Sequence, residues 1–324
     1  MAAPHTASQP GANHRPQLLL LISMQQAFIA DLQRNYRLSQ LPGAADVAGL
    51  PSSQLQEIQV AVTNGSTGLS GQQMDLLPRL QLICSYGAGY ENIDLAAAAQ
   101  RGIAVTHAPG INNATVADHA IALMLAISRG LPELDRALKA GGWLQNRQPR
   151  PTVNGKRLGV LGMGNIGQLI ARRAAAFDMQ IAYHTRQARQ DLPYQYMDSV
   201  NRLAAGSDYL ILACPGGAAT RHLINSEALD HLGPQGFLIN IARGSVVDTT
   251  ALMSALQEQR IAGAALDVIE DEPALPPEVE RMDNLILTPH VSGRSPEAQL
   301  AQHRALLENI AASLAGQPLK HQLS

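Results

Sequence analysis

Arg243, Glu272 and His290 are the residues whose types and placement suggest chemistry. Arg243 lies in Asn240-Ile241-Ala242-Arg243-Gly244-Ser245, Glu272 in Asp267-Val268-Ile269-Glu270-Asp271-Glu272-Pro273, and His290 in Leu287-Thr288-Pro289-His290-Val291-Ser292-Gly293. Each segment follows a short apolar run that reads as a buried strand. Arginine offers a planar fork for a carboxylate. Histidine offers a proton that moves near neutral pH, and glutamate an anion that can orient the imidazole. Taken singly, such residues are more often structural; their combination is the informative feature.

A second signal stands upstream. Gly162-Met163-Gly164-Asn165-Ile166-Gly167 follows the strand-like Leu158–Leu161 and precedes an alanine-rich helical stretch. Strand, glycine turn and helix in that order suit a dinucleotide pyrophosphate. Gly162 permits the turn, Gly164 the approach of backbone to phosphate, and Gly167 close helix packing. The helix start, from Asn165 and Ile166, offers free N–H groups to the anion. About 20 residues on, where such folds place an acid for the ribose hydroxyls, the chain reads His184-Thr185-Arg186. Loss of the acid and gain of arginine favour a 2′-phosphate, hence NADP(H) over NAD(H), which stays possible.

Strand-like and helix-like stretches alternate along the whole chain. The first unit has strands at Leu18–Ile22, Ile58–Val62, Leu82–Ser85 and Ile103–Val105, with a helix over Gln25–Tyr36. Six strands follow in the second unit, and a helix over Pro296–Leu314 should pack back on the first. The pattern predicts an α/β protein with parallel sheets and covering helices. In the first unit, Asn64-Gly65-Ser66-Thr67 and Tyr86-Gly87-Ala88-Gly89-Tyr90 end strands, where open α/β sheets bind ligands. The small residues of the second loop let backbone amides face a carboxylate. Asn113 or Thr115 is placed to cap an apolar helix over Val116–Ser128. That helix and the arm behind it, with Trp143, suit a subunit interface or plain core packing.

With 324 residues, two domains are expected. The net charge of -2 argues against a nucleic-acid or membrane-surface role. Two cysteines build no disulfide framework, which fits a cytoplasmic setting. The ten histidines lack paired ligand spacing, so no metal site is expected. The polar stretch 1–15 reads as a disordered tail without a signal peptide.

Together, Tyr86–Asp94, Gly162–Gly167, Ile241–Asp248, Asp267–Pro273 and Thr288–Gly293 resemble, in order, the D-2-hydroxyacid dehydrogenase family, in its glyoxylate/hydroxypyruvate reductase-like branch. The resemblance implies two Rossmann-like domains, with a nucleotide-binding domain inserted into a split, flavodoxin-like substrate domain. The division it suggests is 16–108 and 292–324 for the substrate domain and 109–291 for the nucleotide domain with a dimerisation arm. It assigns catalysis to Arg243, Glu272 and His290, and the substrate carboxylate to the Ala88-Gly89 amides, with Asn64 nearby. Pro215, Thr220, Ile241, Ala242, Asp267 and Gly293 would line the nicotinamide cleft. The activity implied is NADPH-preferring reduction of small 2-oxo acids such as glyoxylate or hydroxypyruvate, by a homodimer. Ser292 departs from the glycine or alanine frequent there. Two other readings compete: a nucleotide-sensing binding protein of the corepressor kind, and a thiol enzyme built on Cys214.

Overall fold

A computed structural model describes residues 15–277 and 279–323, so the tail expected over 1–15 lies almost wholly outside the described residues. The chain begins β1 (Gln17–Leu20), α1 (Gln26–Asn35), β2 (Arg37–Gln40), α2 (Ser52–Leu55), β3 (Ile58–Thr63), α3 (Gly71–Asp75), β4 (Leu82–Ser85), α4 (Leu95–Gln100) and β5 (Ala104–Thr106). It continues with α5 (Asn113–Arg129), α6 (Leu131–Lys139), β6 (Arg157–Leu161), α7 (Asn165–Ala175), β7 (Gln180–His184), β8 (Gln195–Tyr196), α8 (Val200–Ala205) and β9 (Tyr209–Leu212). Last come α9 (Ser226–Leu232), β10 (Phe237–Asn240), α10 (Thr249–Gln257), β11 (Gly263–Leu266), β12 (Leu285–Leu287) and α11 (Pro296–Leu314). Two compact units result: residues up to Ile111 together with Pro296–Ser324, and Asn112–Ser295.

The first unit is a parallel sheet in the order β2-β1-β3-β4-β5, the flavodoxin-like arrangement. Side chains alternate faces along a strand. Leu18 and Leu20 therefore join Ile29 and Leu32 of α1 and Leu306 and Ile310 of α11, while Leu19 and Leu21 join Met74 of α3 and Ala97 and Ala98 of α4. Burial on both faces explains the unbroken leucine run of β1. Strand β2 escapes a hydropathy reading because its sequence, Arg-Leu-Ser-Gln, is polar. Its buried Ser39 accepts from Gln17 Nε2 at 2.8 Å and donates to Gln54 at 2.9 Å, satisfying the group that burial would penalise.

The second unit is a seven-stranded parallel sheet in the order β12-β11-β10-β9-β6-β7-β8. The expected six strands are there, and the two-residue β8 adds an edge. The order reverses between β6 and β9, the switch point at which doubly wound sheets bind ligands. α5 and α7 cover one face through Ala117, Ala120, Met124, Ile170 and Ala174. α8, α9 and α10 cover the other through Leu203, Leu229 and Leu252. The buried apolar face of α5 is thus packed inside its own unit. The expected cap also differs: Asn112 is the N-cap residue and makes no side-chain cap, with Asn113 and Thr115 already inside the first turn. The arm contains α6, a helix with no buried residue, followed by Trp143 and Leu144, 66% and 73% exposed.

The β6-turn-α7 junction depends on its glycines for different reasons. Gly162 has φ +96°, and a Cβ there would stand 2.6 Å from the Cys214 nitrogen. A Cβ on Gly167 would stand 2.1 Å from the Gly162 carbonyl oxygen, so helix and turn touch at bare backbone. Gly164 has open space around its missing side chain. Gly167→Ala should therefore destabilise the fold by ~3 kcal/mol or more through overpacking against rigid backbone, and Gly164→Ala by at most about 1 kcal/mol. Denaturant unfolding of both variants checks this, and equal losses would contradict it.

Candidate active site

At the switch point, α7 begins on Gly164 with no side-chain cap, leaving its first backbone N–H groups for an anion. Asn165 is exposed there, Ile166 half-buried and Gly167 buried. The dinucleotide fits this cradle: the turn glycine, the open space at Gly164 and the bare helix start are what a pyrophosphate requires. His184 ends β7 directly beside Leu161, and its backbone carbonyl accepts from Gly162 N at 2.9 Å. Its ring Nδ1 pairs with the Met197 carbonyl at 2.8 Å, an interaction that fixes Nδ1 as the protonated nitrogen. The Thr185 hydroxyl donates to the Gln187 carbonyl at 2.6 Å, leaving it only acceptor capacity. Arg186 is exposed, whereas the nearby Arg189 is held by Asp191 and by the Met163 carbonyl. Of the two arginines after this strand end, Arg186 is the one without a carboxylate partner among the described residues.

The three catalytic candidates sit after β10, β11 and β12, at the C-terminal edge of the same sheet. Asn240, buried at the end of β10, shapes the first loop: its Oδ1 accepts from Ala242 N and its Nδ2 donates to the Arg243 carbonyl, both at 3.0 Å. The Arg243 stem passes close over Gly216, where a Cβ would stand 2.7 Å from Arg243 Cγ. A Cβ on Gly244 would lie 2.1 Å from the backbone of Ile269, so the arginine loop and the glutamate loop are in direct contact. Across that contact His222 Nε2 meets Glu270 Oε1 at 2.8 Å and Arg221 meets the same oxygen at 2.7 Å.

His290 Nδ1 stands 2.8 Å from Glu272 Oε1. The two side chains are 39% and 33% exposed, so the pair is open to a small substrate. With the Nδ1 proton directed at Glu272, Nε2 is the atom left to exchange a proton with a ligand. The His290 backbone is left-handed, φ +51°, which costs an L-residue about 1–2 kcal/mol. Asp267, fully buried at the end of β11, holds that conformation. Its Oδ1 accepts from the Thr288 hydroxyl at 2.6 Å and from Val291 N at 2.9 Å, its Oδ2 from Ser292 N at 2.9 Å, and its carbonyl from His290 N at 2.9 Å. A nicotinamide contact through Asp267 would have to use the acceptor capacity remaining on Oδ2. Gly293 follows where a Cβ would strike Asn112 Nδ2 at 2.3 Å.

The other cleft candidates are placed as follows. Ile241 and Ala242 are buried under the arginine loop. The Thr220 hydroxyl donates back to the Pro215 carbonyl at 2.9 Å, closing the loop after β9. Burial pushes the Cys214 thiol up to about 11, and no imidazole among the described residues pairs with it, so the thiol-enzyme reading loses its chemistry.

In the first unit, the carbonyls of the Gly87–Gly89 loop all turn into the protein. Gly87 O accepts from Ala108 N at 2.7 Å, Ala88 O pairs with His107 Nδ1 at 3.0 Å, and Gly89 O accepts from Ser85 Oγ. Among the described residues the Ala88 and Gly89 amides have no acceptor, the disposition an anion site needs. Asn64 uses Oδ1 to accept from Thr67 N at 2.7 Å. Two other motif residues are structural: Asp94 caps α4 and Asp248 caps α10.

Sequence reasoning brought out Arg243, Glu272 and His290 but missed Asn240, His119 and the Glu270 cluster. Glu270 is hidden among three consecutive acids, Glu270, Asp271 and Glu272, and His119 in an apolar helix that reads as core.

A family model described as the NAD binding domain of D-isomer specific 2-hydroxyacid dehydrogenases matches residues 121–292. A glyoxylate/hydroxypyruvate reductase A of Arabidopsis thaliana is 37% identical over 303 residues, covering 93% of this chain and 97% of the relative. A hydroxyphenylpyruvate reductase of Plectranthus scutellarioides is 36% identical over 306 residues, with the same coverage. The solved structure of an NADPH-dependent glyoxylate/hydroxypyruvate reductase from Sinorhizobium meliloti, in complex with NADP and malonate, superposes with a TM-score of 0.88 at 34% identity, covering 96% of this chain and 97% of that one. The chain belongs to the D-isomer specific 2-hydroxyacid dehydrogenase family.

Proposed function

We propose that this protein is an NADPH-preferring reductase of small 2-oxo acids, forming D-2-hydroxy acids. The observation that carries the reading is the His290–Glu272 pair at 2.8 Å, on a sheet edge shared with Arg243. When bound, the nicotinamide supplies the hydride that adds to the carbonyl carbon. The protein's residues do the rest. Arg243 and the Ala88 and Gly89 amides anchor the substrate carboxylate, and Arg243 polarises the carbonyl. Negative charge grows on the carbonyl oxygen as the carbon is reduced, and His290 gives that oxygen the proton from Nε2. Glu272 accepts the hydrogen bond from Nδ1 and so holds the ring with Nε2 toward the substrate. Gly162, Gly164 and Gly167 with the start of α7 hold the pyrophosphate. Arg186, with His184 and Thr185 as hydrogen-bonding neighbours, receives the 2′-phosphate. The reductase names of the relatives favour catalysis over nucleotide sensing.

We also infer a cytoplasmic homodimer. Free Cys84 and Cys214 fit a reducing compartment, and no single helix among the described residues is long and apolar enough to cross a membrane. The dimer rests on exposed Leu131, Leu138, Trp143 and Leu144, an apolar concentration unusual for a monomer surface.

Three measurements test this reading. Glyoxylate, hydroxypyruvate, pyruvate, 2-ketogluconate and arylpyruvates, assayed with NADPH, should give steady cofactor oxidation with the small oxo acids; silence with all of them would sink it. In the same assay His290→Gln should lose ~10²–10⁴-fold in rate, the usual worth of a placed general acid. Arg186→Ala should raise KM for NADPH roughly ten- to a hundredfold, from the loss of one charge-assisted contact, and leave NADH nearly unchanged. Equal losses with both cofactors would remove the 2′-phosphate assignment. For the dimer, light scattering at micromolar concentration should give twice the 34.5 kDa chain mass. A single chain mass would exclude it.

A further inference from the structure

His119 stands on α5 with no assigned part in the reaction, yet its ring reaches the loop that carries His290. Its Nε2 lies 3.1 Å from Thr288 Oγ1 and 3.6 Å from Asp267 Oδ1. The Thr288 hydroxyl has one proton, and the 2.6 Å contact with Asp267 takes it. Thr288 Oγ1 can then only accept from His119, so Nε2 of His119 carries a proton. The chain of donors runs one way, from His119 through Thr288 to Asp267, whose carboxylate also accepts from Val291 N and Ser292 N on either side of the left-handed turn at His290. The charged or titratable groups at this end of the network are His119 and Asp267; the neighbouring Asp118 is paired outward with Arg173.

We propose that His119 is a positioning residue for the general acid: its Nε2–H, relayed by the Thr288 hydroxyl, fixes the Asp267 carboxylate and thereby the His290 backbone, keeping the imidazole against Glu272. The assignment rests on the reductase reading for its kinetic consequence but not for its geometry. Without the outer donor, Thr288 is free to rotate its hydroxyl away from Asp267, one of the three donors on that buried carboxylate is lost, and the turn loosens. Displacement of a reacting group by about 1 Å can cost ~10²-fold in rate. Glutamine places an amide N–H near the position of Nε2, whereas leucine offers none.

The test compares wild type, His119→Leu, His119→Gln and Thr288→Val, the last keeping α5 intact should His119→Leu fold poorly. Two readouts are taken. In ¹⁵N-histidine NMR, with His290→Gln to assign the signal, the wild-type His290 Nδ1–H shared with Glu272 should be protected from exchange. That signal should broaden or vanish in His119→Leu and Thr288→Val and persist in His119→Gln. In the reductase assay, kcat should fall ~10- to 100-fold in His119→Leu and Thr288→Val with KM for NADPH unchanged, and recover most of its value in His119→Gln. A retained Nδ1–H signal in folded His119→Leu and Thr288→Val overturns the proposal, whatever the assay shows. So does a His119→Gln variant as impaired as His119→Leu. Failure of wild type to reduce any oxo acid while the NMR pattern holds strikes the functional reading alone.

Discussion

The buried carboxylate of Asp267 is the constraint on which the site depends. A carboxylate removed from water must be met by several donors, and here they come from one place, the loop after β12. In meeting that demand the loop takes the turn that points His290 toward Glu272. The carboxylate also sits at the end of β11, and its backbone N–H bonds the Asn240 carbonyl at the end of β10, beside the arginine loop. One buried charge thus links the edges of three adjacent strands.

Parallel strands make this economical. Their C-terminal ends lie along one edge, so residues distant in sequence become neighbours there without long-range loops. Arg243, Glu272 and His290 come from three successive strand ends, and the glycine turn from the strand at the switch point. The contact of Gly244 with the Ile269 backbone then sets how close the cationic and anionic loops can come. Glu270, two positions before Glu272, pairs with the Arg221 guanidinium and meets His222 Nε2, so its carboxylate is already partnered within the protein.

The parts of this arrangement that were legible in the sequence are those governed by local rules. Leucine and valine runs marked strands buried on both faces, and the glycine spacing marked the nucleotide turn because each glycine answers a separate steric demand. Strand β2 was invisible because its burial is satisfied by hydrogen bonds among Gln17, Ser39 and Gln54 rather than by apolar side chains. The role of Asp267 as a strut was equally hidden. A carboxylate at a strand end reads as a ligand group, and only tertiary packing shows which donors reach it. His119 on α5 has no periodic signature at all, since its partners lie 148 and 169 residues away.

Proton delivery at this site rests on the contact of His290 Nδ1 with Glu272 Oε1 at 2.8 Å, which leaves Nε2 to face the substrate. The most direct measurement is kcat/KM for oxo-acid reduction, with saturating NADPH, in wild type, Glu272→Gln and Glu272→Ala. Glutamine keeps the size and one acceptor, whereas alanine removes the acceptor altogether. Glu272→Ala should lose ~10²-fold, the cost of a displaced reacting group, and Glu272→Gln markedly less. A Glu272→Ala variant as active as wild type would contradict a role for the pair in presenting the proton.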